Sequence, residues 1–504
     1  MKTHVLPLTL ACICSACSGE RQHPNVVLIL ADDMGYGDVS CLDSNSRLIT
    51  PCIDRLAAEG VVFTDAHSSS SVSTPTRYGL LTGRYNWRSE LKCDVLYGYS
   101  AGIIPPERET LGSMLRRQGY TTAAIGKWHL GWDWPGVERG KDSVDYTKPI
   151  ANGPADRGFD YFFGFCGSLD MAPYIYVENR MPTAVPDTVT AGRTRFGWWR
   201  KGPTAPDFHH EQVLPELIDR ACRYIEEHSK QDRPYFLYLP LPAPHTPILP
   251  TEEFRGKSGI GEYGDFVLMV DAMVGRVMEA VERGGKAENT IVVFTTDNGC
   301  SPAAGIEEME AVGHHPNSIY RGHKADLYDG GHRIPCILRW PKGAQPHTVK
   351  QTVCLTDFYA TLADICGYRL KDTEGEDSYS LLPAIRSTTE VAPIREATIH
   401  HSIDGQFAVR QGKWKLLLSG GSGGWSWPTP ADTAALDSLP AIQLYDMEAD
   451  PTEARNVQDL YPQQADSLRR LLERYIRTGR STPGAPQPND GEYPWKQAAE
   501  IADL

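Results

Sequence analysis

Helix-like and strand-like patterns alternate along most of the first 340 residues. Residues 25–31 form a continuous, β-branched apolar run that predicts a strand buried on both faces, and 121–126, 235–241 and 290–296 are predicted as further strands. Segments with helical spacing of apolar residues, or with a Thr-Pro start and a glycine stop, predict helices at 50–60, 109–119, 214–228 and 265–283. This alternation predicts an α/β fold with a large, doubly wound, mostly parallel sheet flanked by helices.

After about residue 375 the pattern changes. Segments 407–418 and 441–447 read as strands of a small antiparallel sheet, and 461–479 has Leu468 and Leu472 on one helical face. We therefore predict a large domain over 21–375 and a smaller C-terminal α+β subdomain over 376–504 that ends in a wrapping tail.

The amino terminus has the features of an export signal. Lys2 precedes a short apolar run at 5–13, which is too short to span a bilayer, and small residues follow. "CSAC" resembles a lipoprotein cleavage box with Cys17 as the lipidated residue; ordinary signal-peptidase cleavage is the alternative. We predict a signal over 1–17 and an exported bacterial protein, periplasmic or an outer-membrane lipoprotein, with at most a lipid anchor in the membrane.

Charge and cysteine content narrow the possible partners. The net charge of −14 disfavours binding to nucleic acid and to anionic membranes. If the substrate is anionic, a local cluster of cationic side chains must bind it. Of twelve cysteines, three lie in the leader, and the other nine lack the C-x-x-C spacing of zinc or redox sites. We expect mostly buried thiols with one or two bridges.

Polar side chains follow all four predicted strands. In doubly wound sheets, ligands bind beyond the carboxyl ends of the strands. One polar strand end is ordinary capping, whereas four indicate a site. The residues there are Asp32, Asp33, Lys127, His129, His245, Asp297 and Asn298.

Three carboxylates and one amide among these residues suggest a metal site. Asp32, Asp33, Asp297 and Asn298 offer only hard oxygen ligands, which suit calcium or magnesium rather than zinc. Four side chains do not fill the six to eight positions typical of calcium, so positions remain for substrate. Each segment alone is also typical of a turn.

Ser73 begins a predicted helix, because Pro75 favours a first helical turn and Leu80 and Leu81 follow. A helix amino terminus favours an anion. A seryl hydroxyl is a poor nucleophile without a base, a metal or chemical conversion, and no G-x-S-x-G elbow is present.

The segment "SVSTPTRYGLLTGRY" resembles the C/S-x-P-x-R…TGR signature of type I sulfatases in the alkaline phosphatase superfamily. "NVVLILADDMGYGD", "GKWHLG", "PHTP", "TTDNG" and "YRGHKADLYDGGHRIPCILRWP" follow the family's order. In that family the first signature residue becomes Cα-formylglycine. Ser73 resembles the serine-type version matured by an oxygen-independent radical enzyme, as in carbohydrate sulfatases of gut Bacteroidetes.

The resemblance implies a role for each matching residue. One calcium ion would be bound by Asp32, Asp33, Asp297, Asn298 and the modified Ser73. Arg77 would hold the formylglycine, Lys127 and Lys324 would contact sulfate, His129 would serve the formylglycine hydroxyl, and His245 would be the general acid. Taken singly, the lysines are typical of a solvated surface and His245 of a rigid loop.

The implied activity is hydrolysis of a sulfate ester on a carbohydrate, exo-acting on sulfated galactose or N-acetylgalactosamine, at O6. Segments 166–176 and 313–323 supply sugar-binding candidates, and the tryptophans of 420–430 either rim the pocket or fill a small core. The candidates are Asp170, His314, His315 and His323. Two alternatives stay open: a phosphatase, phosphodiesterase or phosphonate hydrolase on the same fold, and a non-catalytic glycan-binding protein with unmodified Ser73.

Overall fold

The computed structural model describes residues 23–503, so the predicted signal at 1–17 lies outside the described residues. The strands within this range are β1 (Asn25–Ala31), β2 (Val61–Phe63), β3 (Ala66–His67), β4 (Thr121–Lys127), β5 (Tyr161–Phe165), β6 (Val177–Glu178), β7 (Met181–Pro182), β8 (Thr188–Arg193), β9 (Trp198–Thr204), β10 (Tyr235–Pro240), β11 (Thr290–Thr296), β12 (Cys336–Arg339), β13 (His347–Val349), β14 (Val353–Cys354), β15 (Thr398–His401), β16 (Phe407–Gln411), β17 (Trp414–Leu417) and β18 (Gln443–Asp446).

The helices range from one turn to six. They are α1 (Pro51–Ala58), α2 (Ser73–Thr82), α3 (Leu111–Arg117), α4 (Val213–His228), α5 (Glu262–Arg283), α6 (Ile306–Ala311), α7 (Asp329–His332), α8 (Asp357–Ile365), α9 (Leu382–Arg386), α10 (Thr433–Leu436), α11 (Pro462–Thr478) and α12 (Lys496–Asp503). No helix in the described part of the chain is long and apolar enough to cross a membrane.

Ten strands form one large sheet in the order β13-β2-β12-β11-β1-β10-β4-β5-β6-β7. The central five, β11 to β5, are parallel, and β1, which pairs with a strand on each side, is buried along its whole length. Helices α1, α4 and α5 pack together, while α2, α3 and α8 form a second group. This confirms the predicted large, mostly parallel sheet flanked by helices.

The edges of the sheet differ from its centre. β12 runs antiparallel to both β11 and β2, and β6 and β7 add antiparallel strands at the other edge. These strands are short, and two-residue strands give no periodicity that a sequence pattern can detect. A separate hairpin, β8–β9, lies outside the large sheet.

The C-terminal part forms the predicted small antiparallel sheet, β15-β16-β17-β18. Leu468 and Leu472 of α11 join Phe407 and Leu416 in a core of their own. Trp87 from the large domain is buried in that same core. The domain boundary at 375 stays a prediction.

All nine cysteines in the described range are free thiols, five of them buried. The expected one or two bridges are therefore not found there. Burial raises the pKa of buried thiols such as Cys336, to about 12, which keeps them protonated.

Candidate functional site

Four neighbouring strands bring the predicted residues to one edge of the sheet. β11, β1, β10 and β4 are adjacent and parallel, so their carboxyl ends meet. Asp32 follows β1, Asp297 follows β11, Lys127 ends β4, and His245 lies five residues beyond β10. All are buried except His245, whose side chain is 11% exposed.

Ser73 is the first residue of α2 and lies inside this cluster. Its Oγ is 3.2 Å from Asp32 Oδ1 and 3.4 Å from Lys127 Nζ, and Lys127 donates to Asp32 Oδ2 at 2.6 Å. Burial opposes ionisation, but Lys127, His245 and Arg77 hold the pKa of Asp32 below its usual range. The residue that resembles the formylglycine precursor therefore contacts an ionised carboxylate.

Arg77 lies one turn further along α2, fully buried. Its guanidinium donates to Asp297 Oδ2 at 2.8 Å and to the Lys127 carbonyl at 3.1 Å. Although burial acts against the charge, Asp297 and Asp32 raise the pKa of Arg77. Arg77 thereby links the helix that starts at Ser73 to two strand ends.

Asp33 occupies the left-handed region, with φ of 64°, directly after β1. Asn298 Nδ2 donates to Asp33 Oδ1 at 2.7 Å, and Lys324 Nζ lies 2.8 Å from Asp33 Oδ2. Burial lowers the pKa of Lys127, whereas for Lys324 the neighbouring Asp33 outweighs burial and raises the pKa. The ammonium groups of Lys127 and Lys324, which belong to different segments of the chain, thus contact Asp32 and Asp33 respectively.

The donor set fits a hard cation. Asn298 Oδ1 is buried and has no hydrogen-bond partner, although such atoms are almost always satisfied. Ligand atoms of Asp32, Asp33 and His245 lie within 4.8 Å of one another. Carboxylate and amide oxygens around a buried, unsatisfied acceptor are what calcium or magnesium requires.

His129 also has an unsatisfied atom. With φ of 54°, it directs Nε2 to the Leu96 carbonyl at 2.7 Å, so Nε2 carries the proton and Nδ1 holds a lone pair. Nδ1 is buried without a partner. Burial, with Lys127 and Arg77 nearby, holds the pKa of His129 well below its ordinary value, so the ring is a neutral acceptor.

We call the cavity that contains Ser73, His129, His245 and Lys324 the active-site cavity; its volume is about 240 Å³. Asp170 also lines it, forms an ion pair with Arg200, and keeps Oδ1 buried without a partner. An unsatisfied carboxylate oxygen in a cavity is a ready acceptor for a ligand hydroxyl.

Two tryptophans form part of the same wall. Trp425, 45% exposed, and Trp198, 37% exposed, line the active-site cavity, whereas Trp427 lies outside it. The sequence left open whether the tryptophans of 420–430 rim the pocket or fill a small core, and it did not predict Trp198 or Arg200 at the site. Both residues belong to β9 of the β8–β9 hairpin, which carries no recognisable motif.

His315 and His323 line a larger neighbouring cavity of about 750 Å³, which we call the outer cavity. Its other walls include Asp43, Arg195, Glu307 and Arg321.

The expectation for His314 needs correction. Its ring is fully buried, Nε2 lies 2.8 Å from Asp38 Oδ1, and Nδ1 accepts from the Arg47 N–H at 3.3 Å. His314 lines neither cavity, because both ring nitrogens fasten its loop to the segment after β1. Its neighbour His315 is exposed instead.

Comparison with known proteins agrees with this geometry. The family model described as Sulfatase matches residues 24–368. The chain is 32% identical to N-acetylgalactosamine-6-O-sulfatase of Bacteroides thetaiotaomicron, covering 90% of this chain and 93% of that protein. It is 33% identical to human arylsulfatase A, covering 86% and 83%.

A solved structure described in connection with the metabolism of multiple glycosaminoglycans by Bacteroides thetaiotaomicron superposes with a TM-score of 0.79. It is 31% identical and covers 90% of this chain and 99% of its own. With catalytic-type side chains gathered around Ser73 and a family match over more than half of its length, this chain belongs to the sulfatase family and is a sulfuric ester hydrolase.

Proposed function

We propose that this protein removes a sulfate ester from a carbohydrate, using formylglycine made from Ser73 and one calcium ion. The observation that carries the proposal is the position of Ser73 Oγ, at the start of α2 and within 3.4 Å of both Asp32 and Lys127.

Asp32, Asp33, Asp297 and Asn298 would hold the calcium ion, with Ser73 in its modified form. When bound, the ion supplies positive charge beside the sulfuryl oxygens and the nucleophilic hydroxyl. The unsatisfied Asn298 Oδ1 supports this assignment. Oxidation of Ser73 removes two hydrogens and gives an aldehyde, whose hydrate supplies two hydroxyls on one carbon.

The chain's own residues then bind charge and move protons. Lys127 and Lys324 bind the sulfuryl oxygens and stabilise the charge that develops on them. His245 Nε2 gives a proton to the departing sugar oxygen. His129 Nδ1, which is neutral and without a partner, accepts the proton released as sulfate leaves.

For the substrate, we propose galactose or N-acetylgalactosamine that carries its sulfate at O6. The enzyme would be exo-acting, with the terminal sulfated sugar held in the active-site cavity. The relative's name, N-acetylgalactosamine-6-O-sulfatase, supports this choice. Asp170 Oδ1 and Arg200 would bind ring hydroxyls, and Trp425 would pack against the apolar face of the sugar.

The phosphatase alternative has less support. Phosphate hydrolases with two metals need further ligands beside the first ion, and here the ammonium groups of Lys127 and Lys324 stand there.

The test is sulfate release from a panel of monosulfated sugars, in parallel with the matching phosphate esters. The enzyme is co-produced with a serine-type radical maturase, and Ser73→Ala serves as the inactive variant. Ser71→Ala, two residues before the C/S-x-P-x-R core of the signature, is the control and should keep its activity. Faster phosphate than sulfate hydrolysis by the matured enzyme would contradict the proposal.

Modification of Ser73 has its own readout. We expect the peptide containing Ser73 to be about 2 Da lighter after co-production with the maturase. An unmodified peptide from the native host would favour the glycan-binding alternative.

We also propose export to the periplasm or the outer membrane, on the signal-like segment 1–17. Cell fractionation of a Cys17→Ala variant tests lipidation: a lipoprotein would lose its membrane association, whereas a protein cleaved by ordinary signal peptidase would be unaffected.

A further inference from the structure

The outer cavity directly adjoins the active-site cavity. Pro302 lines both of them. On two other segments, adjacent residues divide between the cavities: Lys324 and Trp425 face the active site, while His323 and Ser426 line the outer cavity. Three separate segments therefore border both cavities, so a sugar linked to one in the active-site cavity would lie next to the outer cavity.

The outer cavity carries an excess of negative charge. Its ionised lining residues are the carboxylates Asp43, Glu307, Glu308 and Glu310 and the guanidinium groups Arg195 and Arg321.

Both guanidinium groups are already engaged. Arg195 forms an ion pair with Glu308, and Arg321 donates to the Glu453 carbonyl at 2.8 Å while stacking 3.9 Å from the Tyr328 ring centroid. Glu307 and Glu310 are exposed on α6 with no arginine or lysine partner among the described residues. The lining therefore has two more carboxylates than guanidinium groups, which disfavours a second anionic group there.

The cavity also offers polar and apolar groups that suit an uncharged sugar. The Asn45 amide is exposed, and the His315 side chain is 55% exposed. Ile319, 57% exposed, lies beside Tyr320 and provides an apolar surface. Amides and imidazoles bind sugar hydroxyls, and aromatic or aliphatic surfaces pack against C–H faces.

We propose that the outer cavity binds the sugar linked to the sulfated one, and that this neighbour is an uncharged hexose or N-acetylhexosamine rather than a uronate. The inference rests on the proposed carbohydrate sulfatase function and names its substrate class. Two carboxylates about 7 Å from a uronate, in water, would reduce its kcat/KM by about fivefold to tenfold.

The experiment uses the matured, calcium-loaded enzyme and three substrates. The same sulfated sugar is supplied as a monosaccharide, linked to N-acetylhexosamine, and linked to glucuronate. We expect kcat/KM to be at least fivefold higher for the neutral disaccharide than for the other two. The deficit of the uronate substrate should shrink in about 1 M salt, where screening is nearly complete.

Glu307→Gln combined with Glu310→Gln sharpens the test, because neither residue lines the active-site cavity. We expect the double variant to raise kcat/KM for the uronate disaccharide toward that for the neutral one and to leave the monosaccharide unchanged. The control, Glu252→Gln with Glu253→Gln, changes net charge equally at exposed residues that line neither cavity.

The outcomes separate the two proposals. Turnover of the monosaccharide with equal rates for both disaccharides, or a preference for the uronate, overturns this inference alone. Sulfate release from none of a full panel of sulfated sugars overturns the proposed function and this inference with it.

Discussion

Two buried clusters contain side chains that could ligate a metal ion, and they differ in whether all their polar atoms have hydrogen-bond partners. The active-site cluster around Ser73 keeps Asn298 Oδ1 and His129 Nδ1 without partners. The second cluster, which we call the histidine cluster, consists of His67, His332 and His400, all fully buried. It has three candidate ligands of its own.

Every ring nitrogen of the histidine cluster has a partner. His67 Nδ1 lies 2.9 Å from His332 Nδ1, and its Nε2 lies 3.0 Å from Asp65. His332 Nε2 donates to a backbone carbonyl. His400 contacts the Ser68 carbonyl and a threonine hydroxyl. Burial holds the pKa of each imidazole below its ordinary value.

Ring orientation points the same way. His332 and His400 stack with centroids 3.9 Å apart and planes only 6° from parallel. Lone pairs lie in the ring plane, so two parallel, separated rings cannot direct them to one ion. Proximity of potential metal ligands is therefore not enough to identify a functional site. A functional site is distinguished from a structural hydrogen-bond network by converging polar atoms that have no partner.

The largest expected effect breaks the active-site side of this comparison. His245→Ala should lower kcat/KM for a sugar sulfate by about 10²–10⁴-fold, because the sugar oxygen needs a proton as it leaves. With 4-nitrophenyl sulfate, whose leaving group needs little protonation, the loss should be much smaller. Equal losses on both substrates would contradict the general-acid role.

The next effect concerns the unsatisfied oxygen. Asn298→Ala removes Oδ1 and should weaken calcium binding by about tenfold to 100-fold, measured by calorimetric titration, with activity recovered at high calcium. The metal-free protein should also lose some stability, because the substitution removes the hydrogen bonds from Nδ2 to Asp33 and to the Gly299 carbonyl. Unchanged calcium affinity would show that Asn298 is not a ligand.

In the histidine cluster we expect a substitution to lower stability and to leave calcium binding and activity nearly unchanged. His332→Ala should reduce the free energy of unfolding by about 2–3 kcal/mol, because it leaves His67 Nδ1 buried and unpaired. Calcium affinity and kcat/KM should change less than about threefold. If elemental analysis found a stoichiometric transition metal in the wild type and not in this variant, the structural reading of the cluster would be wrong.

The smallest effect is a pH dependence beside the histidine cluster. Burial raises the pKa of Glu453 to about 7 from 4.5, and Asp329, which shares the Lys415 ammonium with it, adds to the shift. A folded-state pKa above the unfolded one means that protonation stabilises the fold below about pH 4.5 and that this contribution is lost as the pH rises through 7.

Glu453→Gln should remove that loss. From pH 5 to pH 8 the wild type should lose about 2 kcal/mol more than the variant, measured by urea unfolding at saturating calcium. Glu448→Gln, at an exposed position nearby, is the control and should behave like the wild type. Parallel curves for Glu453→Gln and the wild type would contradict the raised pKa.

The sequence by itself determined the central strands, the long helices and the residues at the strand ends. The strands β1 and β11 are buried along their whole length and have continuous, mostly apolar sequences. In helices α4 and α5 the apolar residues recur with a period of about 3.6 residues. These four elements can therefore be predicted from local sequence. The proximity of Asp32 and Asp297 could be predicted because the carboxyl ends of parallel strands meet at one edge of a sheet.

The tertiary structure alone decided the direction of β12, the short edge strands and the walls of both cavities. Arg200 and Trp198 reach the active-site cavity through a hairpin with no motif, and His314 turns inward while His315 turns outward. Such choices depend on contacts between segments far apart in the chain, whose energies no local pattern contains.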